Sequence, residues 1–154
     1  MRRRLAPAAV AVLTGAALTG CSLFGQGPEQ VSVFDAAPGE CFLAPEEIVA
    51  ELTEITRVPC DSAHDQEAYA VVDYVTGEGT EGYPGDGALK DFADGSCAAE
   101  FAGYVGVDYR DSSLFLTYLL PSARSWEQDG DREVTCFVTT TGEPLTATVR
   151  DSAL

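Results

Sequence analysis

The sequence predicts an α+β domain in which a small antiparallel sheet of about four strands carries one main helix on a face and is stapled by two disulfides. Several segments alternate apolar and polar residues, as strands exposed on one side do. One longer segment repeats apolar residues at steps of three and four, which is the spacing of a helix face. These segments follow one another in the order ββαββ, which favours a helix packed on one face of an antiparallel sheet.

The strands are predicted from their two-residue period and their β-branched residues. A short strand is expected at 31–34, and the four main strands at 52–58, 67–75, 113–120 and 132–140. Segment 113–120 is almost continuously apolar, which favours a central position in the sheet. A turn at 37–40 leads to Cys41, and a helical turn is expected at 45–47.

The main helix is predicted between Ala88 and Val105, with Cys97 on its apolar face. The preceding segment, 76–87, holds five glycines and one proline, and this composition is typical of a mobile loop. The tail, 141–154, is rich in turn residues, so we expect it to be frayed.

The N-terminal segment has the features of an export signal. Three arginines precede an apolar stretch from Leu5 to Leu18, which is shorter than the ~20 residues that span a bilayer. Leu18-Thr-Gly-Cys21 is similar to the bacterial lipobox, in which cleavage precedes a lipid-modified cysteine; the alternative is an ordinary signal peptide with a cysteine there by chance. We expect a signal peptide at 1–20, lipid on Cys21, a flexible linker within 21–30, and the domain at 31–140, held at the outer face of the cell membrane.

The cysteine count supports this interpretation. Five is an odd number for an exported chain, and lipid on Cys21 leaves an even set of four that should be oxidised outside the cytoplasm. Four cysteines allow three connectivities, and their spacing alone does not choose among them. A bridge from Cys97 on the helix to Cys136 in the last strand would join helix and sheet, which favours the pairs Cys41–Cys60 and Cys97–Cys136.

The charge of the exported part limits its partners. Beyond residue 20 the chain holds six basic and 25 acidic residues, a net charge of −19. Nucleic acid is excluded as a partner because phosphate binding depends on Lys and Arg. Anionic headgroups should also repel the domain, so the membrane contact is expected through the lipid on Cys21. The other expected partner is an envelope protein or a cell-wall component.

Few residues of the chain stand in patterns typical of catalysis or metal binding. His64 is the only histidine, the residue type that most often serves as a general base, so the hydrolase alternative centres on it. There is no Gly-x-Ser-x-Gly element and no second histidine for a zinc site. We therefore expect no catalytic residue, no metal and no cofactor, and interpret His64 as a loop histidine that bonds nearby backbone beside a disulfide. Asp129-Gly-Asp131 lacks the further oxygen ligands of a calcium loop, and Trp126 is interpreted as a core anchor.

Several short motifs together resemble one protein family. They are Gly39-Glu-Cys-Phe42, Val58-Pro-Cys60 followed by His64 and Glu67, a helix bearing Cys97, and Pro121, Trp126, Gly130-Asp-Arg132 and Cys136 in that order. This pattern resembles the septum formation domain family of actinobacterial exported and lipid-anchored proteins, over about Val31 to Thr140. The resemblance implies an envelope domain linked to septation, with the cysteines, His64, Trp126 and Arg132 as framework positions.

The favoured function is a lipid-anchored, non-catalytic binding or scaffolding module of the envelope, linked to septum formation. Four residues are the candidate recognition positions: His64, Glu67, Trp126 and Arg132. Two alternatives stay open: a small-ligand or cation-binding envelope protein that uses the acidic surface, and a hydrolase that uses His64.

Replacing Cys21 with alanine tests the lipid anchor. We expect the Cys21→Ala precursor to remain uncleaved by signal peptidase II and to lose its partition into the detergent phase, because the lipid is attached to that thiol. Intact mass and phase partition measure both effects. A mature wild-type protein with an unmodified Cys21 would contradict the assignment.

Overall fold

The computed structural model describes residues 27–45, 47, 51–75 and 81–154. The predicted signal peptide, Cys21, most of the linker, part of the predicted helical turn at 45–47 and residues 76–80 of the predicted loop lie outside the described residues. Within the described part of the chain, no helix is both long enough and apolar enough to cross a membrane.

The described residues form six strands and two helices. In chain order these are β1 (Glu29–Ser32), β2 (Cys41–Leu43), β3 (Glu54–Val58), β4 (Gln66–Asp73), α1 (Asp86–Val105), β5 (Phe115–Leu119), α2 (Ala123–Gln128) and β6 (Glu133–Thr139). The α+β class and the single main helix are confirmed, but the strand number was underestimated. β2 has only three residues, too few for a two-residue period to be visible in the sequence.

All six strands belong to one antiparallel sheet in the order β1-β3-β2-β4-β6-β5. The prediction that 113–120 forms a central strand was therefore wrong, because β5 is an edge strand. Leu116 and Tyr118 of β5 pack on the core beneath α1, whereas Phe115 on the opposite face is 45% exposed. The apolar run of β5 thus reflects an exposed apolar face, not burial on both sides.

The main core lies between α1 and one face of the sheet. Residues directly opposite each other on neighbouring strands share a face, so Tyr118 of β5, Cys136 of β6 and Ala70 of β4 all point toward the helix. The helix contributes a buried stripe of Leu89, Ala93, Cys97, Phe101, Tyr104 and Val105. This stripe matches the apolar face predicted from the sequence.

A smaller core lies on the opposite face of the sheet. It consists of Val31, Ala36, Phe42, Ile55, Ala68 and Phe137, with Val33 and Leu119 packed against it. Phe42 and Phe137 meet edge to face with ring centroids 5.7 Å apart. Val33 follows one edge strand and Leu119 ends the other, so the sheet must curl to bring both onto one cluster.

The disulfides join the pairs predicted from the sequence. Cys41 at the start of β2 is bonded to Cys60 after β3, and Cys97 of α1 is bonded to Cys136 of β6. These bridges close loops of 19 and 39 residues, and each should stabilise the fold by about 3 to 4 kcal/mol.

The C-terminal tail is docked on the domain, and the prediction that it is frayed was wrong. Leu145 forms a two-way backbone bridge with His64, and Val149 is 2% exposed. The amides of Asp151 and Ala153 donate to carbonyls of the last turn of α1, so the tail completes the helix end. Two isolated apolar residues among turn formers show no periodicity, and the sequence pattern therefore missed this contact.

Truncating Val149 tests this docking. We expect Val149→Ala to lower the free energy of unfolding by about 2 kcal/mol, because the valine side chain is fully buried. The matched control is Val75→Ala, the same change at a valine that is 83% exposed, and it should cost less than about 0.5 kcal/mol. Urea titration measures both values, and equal midpoints would mean that the tail contributes nothing to stability.

Candidate functional site

The four candidate recognition residues lie in two separate places. His64 and Glu67 sit at the start of β4, while Trp126 and Arg132 lie near Tyr74, just past the other end of that strand. At ~3.3 Å per residue these places are roughly 20 Å apart. The structure therefore does not unite the four residues in one site.

Glu67 is a buried carboxylate that binds three neighbouring groups. Its Oε1 accepts hydrogen bonds from the hydroxyls of Tyr104 and Thr148, and its Oε2 accepts one from the backbone N–H of Val149 at 2.8 Å. Burial and the bond to Glu67 raise the pKa of Tyr104 to about 12. The Arg150 guanidinium lies 4.4 Å from the centroid of the Tyr104 ring. This carboxylate therefore ties β4, α1 and the tail together.

His64 is fully buried beside Glu67. Its Nδ1 lies 2.8 Å from the carbonyl oxygen of Ser62, next to the Cys41–Cys60 disulfide, so its interpretation as a backbone-bonded loop histidine is confirmed. Its backbone N–H and C=O both pair with Leu145. The imidazole therefore faces the interior of the domain.

The same place contains three side chains of metal-binding type. Ligand atoms of Cys41, His64 and Glu67 all lie within 4.8 Å of one another. However, the sulfur of Cys41 is bonded to Cys60, and both oxygens of Glu67 already accept hydrogen bonds. The donor set available is thus poor for a metal ion, and the cluster is suited to holding the fold.

Trp126 and Arg132 form a stacked pair that supports α2. The guanidinium carbon of Arg132 lies 3.6 Å from the Trp126 ring centroid, and its Nη1 donates to the carbonyls of Trp126 and Asp131. The Trp126 indole donates to the carbonyl of Glu81 at 3.0 Å. Trp126 is almost fully buried, which confirms its interpretation as a core anchor.

A groove of about 600 Å³ opens beside α2, and sequence reasoning did not find it. It lies on the smaller-core side of the sheet, between the 3-10 turn Val33–Asp35 and the segment 119–125. Among the described residues, its aliphatic and phenylalanine lining is Val33, Phe34, Leu52, Leu119, Leu120, Pro121 and Ala123. Phe34 is 53% exposed, so an aromatic ring is presented to solvent.

Carboxylates surround this apolar lining. They are Glu51, Asp86, Asp129 and Asp131, and the single guanidinium among the described lining residues, Arg124, lies 3.7 Å from Glu51. We call this feature the acid-rimmed groove. It offers an apolar floor and negative charge to a ligand.

Local sequence explains how α2 positions one wall of the groove. Pro121 follows the end of β5, and Ser122 and Ser125 form a capping box that starts α2. Ser125 also donates to Asp131 at 2.8 Å, which fixes that carboxylate at the rim. The turn between them requires a positive φ of 69° at Gly130, a conformation that glycine adopts without strain.

The geometry defines a disulfide-stapled α+β domain with an acid-rimmed groove. The model of the family described as "Septum formation" matches residues 24–147, most of the chain. The chain therefore belongs to the septum formation family. Neither a curated protein nor a solved structure matches it significantly.

Changing Glu67 tests its structural role. Glu67→Ala leaves two hydroxyls and one N–H without their acceptor, so we expect a loss of about 3 kcal/mol or more in the free energy of unfolding. Glu67→Gln should cost clearly less, because its carbonyl can accept from Val149 while its NH₂ donates to the hydroxyl oxygens. Denaturant titration of both variants checks this order. An equal loss in both would show that the negative charge itself is required.

Proposed function

We propose that this protein is a lipid-anchored, non-catalytic binding module at the outer face of the cell membrane. Its acid-rimmed groove receives a segment of an envelope protein that carries basic and apolar side chains. Because the chain belongs to the family described as septum formation, we propose that this binding serves septum formation.

The observation that carries the proposal is the exposed ring of Phe34 beside an apolar floor with a carboxylate rim. Aromatic side chains in central, apolar positions often dominate the binding energy of an interface. A rim of like charges selects partners of opposite charge and speeds their encounter. The net charge of −19 beyond residue 20 extends this selection to the whole domain.

The chain path favours a partner close to the membrane. The turn Val33–Asp35 directly follows β1, the first strand after the proposed anchor Cys21. Val33 lies twelve positions after Cys21, and a fully extended chain over that distance reaches at most about 40 Å. The groove would therefore be held within tens of ångströms of the bilayer.

The position of His64 supports binding over catalysis. This only histidine is fully buried and does not line the groove. A general base must come within hydrogen-bond reach of the proton it removes. Binding should therefore survive His64→Ala wherever the fold survives, and wall-fragment hydrolysis that depends on His64 would favour an enzyme.

Substitutions in the groove test the proposal. The probe is a fluorescent twelve-residue peptide with equal numbers of Arg and Leu residues, added to the full chain in a non-ionic detergent. We expect the combined change Phe34→Ala and Asp129→Asn to weaken binding about tenfold, since it removes the exposed ring and one rim charge. Fluorescence anisotropy at low and high salt measures the affinity, which should fall as salt screens the rim.

The matched control combines Leu154→Ala and Glu143→Gln. It removes another exposed apolar side chain and another negative charge; these residues lie at or beyond the opposite end of β5 from the groove. Its affinity should equal that of the wild type. Equal weakening in both double variants would mean that the peptide responds only to net charge, and the groove assignment would fail.

A further inference from the structure

We propose that the free edge of β5 pairs with an extended, basic segment of the same partner, which adds a strand to the sheet. This inference rests on the proposed function and specifies the conformation of the bound segment. It assigns a second recognition surface, the backbone of residues 115–119, next to the groove.

The outer edge of β5 is available for pairing. β5 is the last strand of the sheet, and its backbone hydrogen bonds within the described residues go to β6. The strand has five residues, a length of about 17 Å. Alternate residues of an edge strand direct their N–H and C=O groups outward, so β5 presents a row of donors and acceptors that no backbone group of the described residues pairs with.

The two edges of the sheet differ in how they are protected. β1 begins at Glu29, directly after Pro28, and Glu29 forms an ion pair with Arg57 at 2.8 Å. Charges and prolines of this kind discourage the addition of another strand. β5 reads Phe-Leu-Thr-Tyr-Leu and contains no charge, proline or glycine. An unprotected, β-forming edge is the kind of surface that accepts an extended peptide.

The surroundings of β5 indicate a basic partner strand. On the helix side, the Tyr118 hydroxyl donates to Asp94 at 2.7 Å. Burial, this hydrogen bond and the charges of Asp94 and Asp91 raise the pKa of Tyr118 to about 12. Asp94 therefore contacts a helix-facing side chain of the edge strand, and Asp91 lies one helical turn before it. The helix-facing side chains of a strand added to this edge would come next to this acidic stretch of α1. Lys or Arg at those positions would be paired with opposite charge.

The other face of β5 indicates that the bound segment carries apolar residues at alternate positions. Phe115, Thr117 and Leu119 share this face, since their cross-strand partners include Phe137 of the smaller core. Phe115 and Thr117 are exposed, and Leu119 continues into the acid-rimmed groove. The segment that fits therefore alternates basic and apolar residues along the edge and ends in the groove.

Charge disfavours a second copy of this chain as the occupant. Two copies would bring together two domains that each carry a net charge of −19 beyond residue 20. Like charges placed opposite each other destabilise strand pairing. A basic, extended segment of another polypeptide supplies both the backbone groups that pair with β5 and the charge opposite to that of the domain.

A backbone-blocked peptide separates strand pairing from simple charge attraction. The probe is a fluorescent eight-residue peptide that alternates Arg and Val, compared with the same peptide N-methylated at its four central residues. Methylation keeps the charge and the side chains but removes the central N–H donors from both edges of the strand. With the full chain in non-ionic detergent, we expect the methylated peptide to bind at least about tenfold more weakly, and the unmethylated peptide to slow amide exchange in β5.

A pair of protein variants provides a second test of strand pairing at the β5 edge. Thr117→Arg places a positive charge on the exposed edge, and Thr146→Arg makes the same change at an exposed position in the tail. We expect the unmethylated peptide to bind about tenfold more weakly to Thr117→Arg than to Thr146→Arg, because only the first change repels an incoming basic strand.

The outcomes that overturn the proposal are distinct. Equal affinity for both peptides would reject strand pairing, while the groove of the proposed function would stand on its own test. Binding of neither eight-residue peptide at low salt would likewise reject strand pairing with a basic segment, and the groove would still be decided by the twelve-residue peptide. A concentration-dependent dimer of the free protein with protected β5 amides would assign the edge to a second copy instead.

Discussion

The buried carboxylate of Glu67 is the constraint on which much of the domain depends. A charge inside a protein is tolerated only where donors surround it. The three donors come from Tyr104 in α1 and from Thr148 and Val149 in the tail, so the helix, the sheet and the last residues must meet at one point. The bridge between His64 and Leu145 and the Cys41–Cys60 disulfide lie beside it. This end of the sheet is thereby held rigidly, which suits a supporting role better than a binding one.

The opposite end of β4 carries an open groove instead of a buried cluster. There the sheet curls, α2 is anchored by the stacked pair Trp126 and Arg132, and the acid-rimmed groove opens between α2 and the turn Val33–Asp35. Its walls meet because β1 and β5, at opposite edges of the sheet, both approach the smaller core. The groove and the open β5 edge share Leu119, so one bound segment could contact both surfaces.

Predictions that depend on local sequence periodicity were confirmed for this chain, whereas some predictions that depend on tertiary packing were wrong. The pairing of Cys97 with Cys136 was predicted because a helix face and a strand have local periods that can be read in the chain. His64, interpreted as a backbone-bonded loop histidine, and Trp126, interpreted as a core anchor, are both buried with the bonds those interpretations require. The central position expected for 113–120 and the frayed tail were wrong, because both depend on what packs against a segment.

The sequence by itself determined the α+β class, the main helix, the four bridging cysteines and the high negative charge, since these follow from local periodicity and composition. Only the tertiary structure decided the groove, the open edge and the docking of the tail. Phe34, Glu51, Leu119 and Asp129 are far apart in the chain and come together through the curl of the sheet. Phe42 and Phe137, which pack together in the smaller core, are 95 positions apart in the chain, and no local pattern encodes such a contact.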